Sequence, residues 1–515
     1  MLSKWIKRML YLLSLLAILT ITIFNILYIN QISNYEVSNI EYYGFLKLFA
    51  SFMIAISIIG ISCGLDKIKV GKKFKIAIII LFLLIYTIVQ IVWISQSVAT
   101  PYADSEQLLV IAKEMMENEG LSEYCANYIQ YYPQQLTLVT IMIAIFKIFH
   151  TTSYVIFQYA NVICNILSIL GLYAITRRIS KEKNKNMILF WILSLTFIPI
   201  TMLSTFVYGD FLGLAFAIWA VYFAINYEKT NKIKNVIFTG ICMLIACLLR
   251  MNYFIFAIAI IIYWIVNLFD KKDKKKSIKE IGIIIILISI IIIPNKLIKI
   301  IYESKYNLSS EKSFSTTPYL YMGMSEGEYA NGWYNNQMGN TVYHIMNDEE
   351  EQSNQISEQC TKDLKDRVKY LVTNPIYTLK FYSKKIITTW AEPTMEYGFY
   401  NTKYPDSIKV EEYFLANHLI NGKMYEVSKI YQKAIIYIIL IGSLITVLAN
   451  RKELNSEILL LVLIFLGGFS FHILWETKSR YIIPYLFILI PVAVNGIEIV
   501  IQKIEDNGRK KNNKN

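Results

Sequence analysis

Four stretches of this sequence hold side chains whose types and spacing suit chemistry on a charged, oxygen-rich substrate. The first, SVATPYADSEQLLVIAKEMMENEG, places Asp104 and Glu106 just after Pro101, at the end of a long apolar run. A carboxylate there has two readings. It caps the helix that follows, since Asp is favoured at that position, or it serves as a general base on an acceptor hydroxyl. The second stretch is Tyr208-Gly209-Asp210, at the turn between two apolar runs, where Gly supplies the turn. Asp210 projects beside Asp104, and a pair of carboxylates at one membrane surface asks for a functional reason. The third, CLLRMNYFIF, sets Arg250 inside a long apolar stretch. A lone charge at span depth costs about 2.5–3.5 kcal/mol on insertion scales, so Arg250 is expected at an outer turn or against an internal anion such as a lipid phosphate. The fourth, FHILWETKSRYIIPY, groups Glu476, Lys478, Arg480 and Tyr481 between two apolar runs. The fork of an arginine suits bidentate phosphate binding. A local Glu476–Arg480 ion pair at i, i+4 spacing accounts for the same residues, and both readings stay open.

Other residues are less specific. Tyr131 and Tyr132, in YIQYYPQQL, fit either an aromatic belt at a membrane interface or contacts to a sugar or lipid phosphate. NPIYTLKFYSKKIITTWAEPTMEYG reads as an interfacial amphipathic helix ending at Trp390-Ala391-Glu392-Pro393, with Lys384 and Lys385 near lipid head groups. PYLYMGMSEGEYANGWYNNQ reads as a loop whose aromatic rings and amides suit either a sugar or a membrane surface. His472 is read as structural, and no metal-ligand spacing is present, so no metal residues are assigned. Cys125 and Cys360 are read as two free thiols. No phosphate-binding glycine motif occurs, and no inner segment is long enough for a nucleotide-sugar domain, so any donor must be borne by the membrane.

The elements that position these residues follow from composition. The chain of 515 residues is 55% hydrophobic and 17% charged, with mean hydropathy +0.43. A soluble domain carries about 25% charge; here charges cluster between long apolar runs, the membrane pattern. The net charge of +13 lies at span ends, which explains it as anchoring under the positive-inside rule rather than as nucleic-acid binding. The first segment reads as an uncleaved anchor. Twelve spans are expected, near 9–29, 45–64, 75–97, 154–176, 187–207, 211–227, 235–250, 253–269, 278–300, 432–449, 457–474 and 482–501. Lys and Arg clusters, among them RRISKEKNK and DKKDKKK, put both termini in the cytoplasm. The short apolar run 134–149 then lies in the outer interface or is re-entrant, because a crossing there would invert every later cluster. The run from Asp104 to Glu119, with Leu108, Ile111, Ala112 and Met115 on one face, predicts an amphipathic helix lying on the membrane with Asp104 at its N-cap. The expected organisation is spans 1–3 over 1–97, a first outer loop over 98–153, a core of spans 4–9 over 154–300, a long extracytoplasmic segment over 301–431, spans 10–12 over 432–502, and a basic tail over 503–515.

In this order, PYADSEQLLVIAKEMMENEG, YYPQQLTL with FKIFH, ITRRIS, YGD, LLRMN, YMGMSEGEYANGWYN and WETKSRY resemble the GT-C superfamily of polyprenyl-phosphate-sugar-dependent glycosyltransferases, and most of all its bacterial branch related to protein O-mannosyltransferases. The resemblance spans about 95–490. It implies an all-α polytopic membrane protein of the cell membrane with an extracytoplasmic site. The implied activity is transfer of a hexose, with inversion, from a polyprenyl-phosphate sugar to a cell-envelope glycan, teichoic acid or protein. Asp104 would be the base, with Glu106 in competition, because relatives carry two adjacent acids where Ser105 intervenes here. Arg250, Lys478 and Arg480 would receive the departing phosphate. Tyr131, Tyr132, Tyr208, Asp210, Glu476 and Tyr481 would position the reactants. A divalent cation is compatible with the chemistry, but no motif supports one. A transporter or flippase for lipid-linked sugars would line a path through both leaflets with charge, and a polysaccharide polymerase or ligase would lack the first-loop Asp; these are the alternatives.

Overall fold

A backbone crossing hydrocarbon must satisfy its own N–H and C=O groups, and a helix does so within one segment. The long apolar runs accordingly form helices in the computed structural model, which describes residues 2–33, 35–68, 71–117, 120–180, 187–270, 274–308, 316–334, 352–404, 409–420, 422–453 and 455–512. Helix α1 (Leu2–Leu27) leads into an antiparallel hairpin of β1 (Tyr28–Ile32) and β2 (Ser38–Tyr42), with Tyr28 opposite Tyr42. Then come α2 (Phe45–Asp66), α3 (Lys72–Ser97), α4 (Asp104–Glu117), α5 (Glu123–Tyr131) and α6 (Leu136–Phe149). The middle of the chain holds α7 (Val155–Ile179), α8 (Met187–Leu195), α9 (Ile198–Met202), α10 (Gly209–Thr230), α11 (Ile233–Leu249), α12 (Phe254–Leu268) and α13 (Lys274–Tyr306). Shorter elements follow: α14 (Thr317–Met324), α15 (Gln352–Thr373), α16 (Pro375–Trp390), α17 (Tyr397–Asn401) and α18 (Phe414–Ile420). The last are α19 (Lys423–Glu453), α20 (Ser456–Leu474), α21 (Ile483–Phe487) and α22 (Ile490–Asn512).

Among the described residues, 9 helices are each long and apolar enough to cross a membrane, and bent pairs raise the number to 12. The pairs bend by 97° between Glu123–Tyr131 and Pro133–Phe149, by 43° between Met187–Leu195 and Ile198–Thr205, and by 52° between Ser479–Phe487 and Ile490–Asn507. Pro133, Pro199 and Pro491 each fall in the first turn of the second limb, where proline is tolerated and the preceding chain cannot continue straight into the helix. The all-α, multi-span architecture expected from the sequence is therefore present. Every expected span has a helical counterpart, that at 235–250 being the short Ile233–Leu249.

The two ends of the bundle differ. At one, Lys7 Nζ meets Asp270 Oδ2 at 2.7 Å and Ser456 Oγ at 3.2 Å, and Lys229 reaches Glu457 at 2.6 Å. The expected basic residues Lys181–Asn186, Lys271–Asp273 and the last of the tail lie outside the described residues, as do residues 335–337 of the Pro318–Gln337 stretch, which opens as helix α14 rather than as the loop expected. At the other end, the connecting segments tie to one another. Thr100 N–H donates to Lys403 O at 2.8 Å, Glu476 N–H to Tyr319 O at 3.0 Å, and Thr477 N–H to Gly332 O at 2.9 Å.

Several local expectations need correction. The β1–β2 hairpin was not expected, because its five-residue strands lack a clear apolar alternation. The face of α4 formed by Leu108, Ile111, Ala112 and Met115 is buried as foreseen, but against α6 rather than in lipid. Asp104 is the first residue of α4 rather than its cap; Ala103, at φ +51°, precedes it. Lys385 does not reach head groups. It is buried, and its ammonium donates to the carbonyl oxygens of Gly323, of Ile473 at 2.8 Å and of Trp475 at 2.8 Å. Lys384, one residue earlier and so on the adjoining face of α16, is exposed. All six cysteines, Cys125 and Cys360 included, are free.

Candidate functional site

The site is assembled around the first turn of α10. A Cβ on Gly209 would lie 1.8 Å from the Leu249 carbonyl oxygen, so only glycine lets the start of α10 rest on the end of α11. That contact brings Asp210 to Arg250, which follows α11 in extended conformation. Asp210 Oδ1 lies 3.7 Å from Arg250 Nε, and Oδ2 accepts from Arg480 Nη1 at 3.2 Å. One carboxylate thus faces two guanidinium groups. Aromatic faces complete the surround. The Arg250 guanidinium lies 4.5 Å from the Tyr208 ring centre and 5.4 Å from that of Tyr481. The Arg480 guanidinium lies 4.0 Å from Phe206, 4.9 Å from Tyr400 and 5.2 Å from Tyr481. Such placement over ring faces favours the cation where water is excluded.

The segment from Trp475 to Lys478 is extended, because its backbone donates to Tyr319 and Gly332 of the long connecting segment. This corrects the local-pair reading. An i, i+4 contact needs a helical turn, and without one Arg480 goes to Asp210 while Glu476 points elsewhere. Lys478 Nζ pairs instead with Glu36 of the hairpin. Burial pulls the Lys478 ammonium down, but Tyr400, Glu36 and Glu396 outweigh it and hold it well above its ordinary value. Burial pushes the Glu476 carboxyl up, against the pull of Lys478 and Arg250. Trp475 stacks between Tyr319 (5.9 Å, 9°) and Phe471 (5.1 Å, 23°), forming an aromatic wall beside Glu476.

Behind the 478–481 turn sit two buried acids after α16. Glu392 accepts from Thr394 N–H at 2.8 Å, Thr394 Oγ1 at 2.6 Å, Glu396 N–H at 2.8 Å and Ser479 Oγ at 3.1 Å. Glu396 accepts from Ser479 Oγ at 3.0 Å and from Arg480 N–H at 3.2 Å. Burial raises both carboxyls. The bonds run to the backbone and hydroxyl of the turn, so they orient it rather than compete for the Arg480 side chain.

The first connecting segment closes the site. Tyr128 Oη donates to Asp104 Oδ1 at 3.1 Å. Tyr132 lies within electrostatic reach of Asp104, Glu476, Tyr319 and Tyr334. Tyr208 lies within reach of Asp104, Asp210, Arg250 and Arg480, and Gln135 Nε2 donates to its hydroxyl at 2.5 Å. Asp104 and Glu106 are both exposed and line a cleft of about 510 Å³ between α4 and α5, together with Gln107, Glu114 and Tyr128. Two positions apart on a helix, they face different ways, and it is Asp104 that Tyr128 holds. Tyr131 is buried beside this region. His472 is buried among aromatic rings, 5.9 Å from Tyr481 and 5.7 Å from Tyr485.

The structure therefore brings Asp210, Arg250 and Arg480 into contact, and sets Asp104, Tyr132, Tyr208, Glu476, Lys478 and Tyr481 around them. Sequence reasoning missed Glu36, Tyr128, Tyr400 and Glu396. For Glu396 a signal existed: two acids in the short turn AEPTME, flanked by apolar and aromatic residues. Among the described residues no three His, Cys, Asp or Glu side chains stand together as a metal-holding group.

Residues 136–295 match the model of the family described as dolichyl-phosphate-mannose-protein mannosyltransferase. Among solved structures, the archaeal oligosaccharyltransferase AglB from Archaeoglobus fulgidus, in complex with an inhibitory peptide and a dolichol-phosphate, is similar at 13% identity and TM-score 0.36. The similarity covers 73% of this chain and 43% of that one, so the chain spans less than half of that protein's length. No curated protein matches. The stretch that holds Tyr208, Asp210 and Arg250 is thus similar to the dolichyl-phosphate-mannose-protein mannosyltransferase family, and the resemblance to GT-C glycosyltransferases expected from the sequence is borne out.

Proposed function

We propose that this chain is a membrane glycosyltransferase that moves a hexose from a polyprenyl-phosphate-linked donor to an acceptor hydroxyl on the extracytoplasmic face of the cell membrane. Asp104 takes the proton of the acceptor hydroxyl as its oxygen attacks the anomeric carbon. The bond from that carbon to the phosphate oxygen breaks, and polyprenyl phosphate leaves. A single displacement inverts the anomeric configuration. Negative charge develops on the departing phosphate, and fixed cations in a water-poor site stabilise it most where they need no reorganisation. Arg250, Arg480 and Lys478 supply them; Tyr132, Tyr208, Asp210, Glu476 and Tyr481 hold the reactants within attack distance. The acceptor is a cell-envelope glycan, teichoic acid or protein.

The observation that carries this reading is the sharing of Asp210 by two buried guanidinium groups. One carboxylate cannot neutralise both, and the Nε atoms of Arg250 and Arg480 have no hydrogen-bond partner. A carboxylate shared between two guanidinium groups leaves each short of a full counter-charge, which suits an oxyanion. Reconstituted protein, supplied with a labelled polyprenyl-phosphate hexose and envelope acceptors, is expected to transfer label. Asp104→Asn is expected to abolish transfer while the protein still inserts, and Glu106→Gln to retain most of it. The reverse result moves the base to Glu106; no transfer to any acceptor class by the unaltered protein sinks the reading.

A further inference from the structure

Glu36 takes no part in the transfer proposed above, yet the fold goes to some trouble to place it. Its backbone sits at φ +66°, a left-handed conformation unfavourable for a residue bearing a Cβ. Ser33 holds the turn: Ser33 O accepts from Glu36 N–H at 2.9 Å, and Ser33 N–H donates to Val37 O at 3.0 Å. The hairpin is fastened to its surroundings on both strands. Asn30 donates from its backbone to Ala391 O at 3.1 Å and from its side chain to Thr388 O at 3.1 Å. Ser38 N–H donates to Tyr329 O at 2.9 Å. These contacts deliver the Glu36 carboxylate to Lys478, with side-chain exposures of 15% and 16%. Lys403, Tyr400 and Glu396 also lie within its electrostatic reach. Asp210 is taken up by the two arginines, so the charge set against Lys478 comes from a separate part of the chain.

We propose that Glu36 is a specificity-determining residue that biases the Arg250–Arg480–Lys478 cluster toward a lipid-linked monophosphate and against a lipid-linked diphosphate. The inference rests on the reading of that cluster as the donor-phosphate site. The Coulomb energy between a fixed charge and a ligand scales with the ligand's charge, and it is screened little in a partly buried site. A diphosphate carries the greater negative charge, so a fixed carboxylate penalises it more. Rejecting the wrong ligand in this way discriminates as well as added attraction for the right one. If Glu36 only held Lys478 in place, its loss would weaken both ligands and, by the same scaling, the diphosphate the more.

Binding of polyprenyl phosphate and of polyprenyl diphosphate to the full-length protein in lipid nanodiscs separates these cases. The unaltered protein is expected to hold the monophosphate more tightly. Glu36→Gln is expected to move the ratio of the two dissociation constants about tenfold toward the diphosphate, equivalent to about 1.4 kcal/mol. Glu36→Asp, which keeps the charge, should leave the ratio within about twofold. Loss of both ligands in Glu36→Gln, equal or greater for the diphosphate, overturns the inference. So does a preference of the unaltered protein for the diphosphate, a measurement that needs no variant to fold. Gln31→Ala removes a hairpin contact to Lys429 without changing charge; the same shift in that variant would trace the effect to hairpin packing and overturn the inference. Binding of neither lipid by the unaltered protein removes the donor-site reading and the inference with it. Monophosphate preference with an unmoved ratio in Glu36→Gln removes the inference alone.

Discussion

Arg480 and Asp210 stand 270 positions apart in the chain and meet at 3.2 Å through Nη1 and Oδ2, while the other oxygen of the same carboxylate faces Arg250. The contact links the turn before α21 to the start of α10, so it is both a structural tie and the electrostatic centre of the site. Removing one partner of a buried pair leaves uncompensated charge and costs about 3–5 kcal/mol. Asp210→Ala is therefore expected to lower the thermal unfolding temperature and the folded yield markedly, and Asp210→Asn, which keeps an acceptor, to do so less. Thermal melts in detergent check this. A melting temperature unchanged in the alanine variant would show that the pair does not hold the bundle together.

Tyr128 is the residue that orients Asp104. A hydrogen bond to a charged group is worth about 1.5–3 kcal/mol when buried and less at an exposed carboxylate. Tyr128→Phe is expected to slow turnover about fivefold, near 1 kcal/mol, with unfolding temperature unchanged. The measurement is kcat in a liposome transfer assay. An unaffected kcat would free Asp104 from any dependence on this contact.

Gly209→Ala would drive a methyl group to within 1.8 Å of the Leu249 carbonyl oxygen. The backbone of α11 cannot yield as a side-chain tip can, so α10 must shift, at a cost of about 1–3 kcal/mol, and Asp210 moves with it. Both stability and transfer are expected to fall. Gly60→Ala, where nothing lies within 4 Å, is the matched control and should change neither.

Lys385 gives a pH dependence of stability. Burial pulls its ammonium from the ordinary 10.5 down to about 7, with Glu476 opposing. Between those values the unfolded chain binds more protons than the folded one, so stability rises with pH across that window and is lost as pH falls through about 7. The difference in unfolding temperature between the unaltered protein and Lys385→Met is expected to grow in favour of the unaltered protein from pH 7 upward. A difference that stays flat over that range would mean the amine remains charged, solvated by its three carbonyl partners.

Much of this molecule was legible without coordinates. Apolar run length determined the helices, because hydrocarbon thickness and backbone self-satisfaction leave one structure for such runs. The spacing of Leu108, Ile111, Ala112 and Met115 determined the buried face of α4, since helical period is a local property. Residue type and place marked Asp104, Asp210, Arg250 and Arg480 as candidates, Arg250 because a charge at span depth is costly. Only the tertiary structure decided who meets whom. The spacing of Glu476 and Arg480 suggested a pair, yet hydrogen bonds donated by Glu476 and Thr477 to the carbonyl oxygens of Tyr319 and Gly332, more than 140 residues away in sequence, stretch that segment, and the arginine goes to Asp210. Lys385 looked like a head-group anchor and is instead buried on carbonyl oxygens from two other segments. Glu36 carried no signal, and Glu396 only that of two acids in one short turn. Local pattern sets which segments form helices; the partner of a charge depends on which distant backbone happens to close over it, and that is a property of the assembled chain.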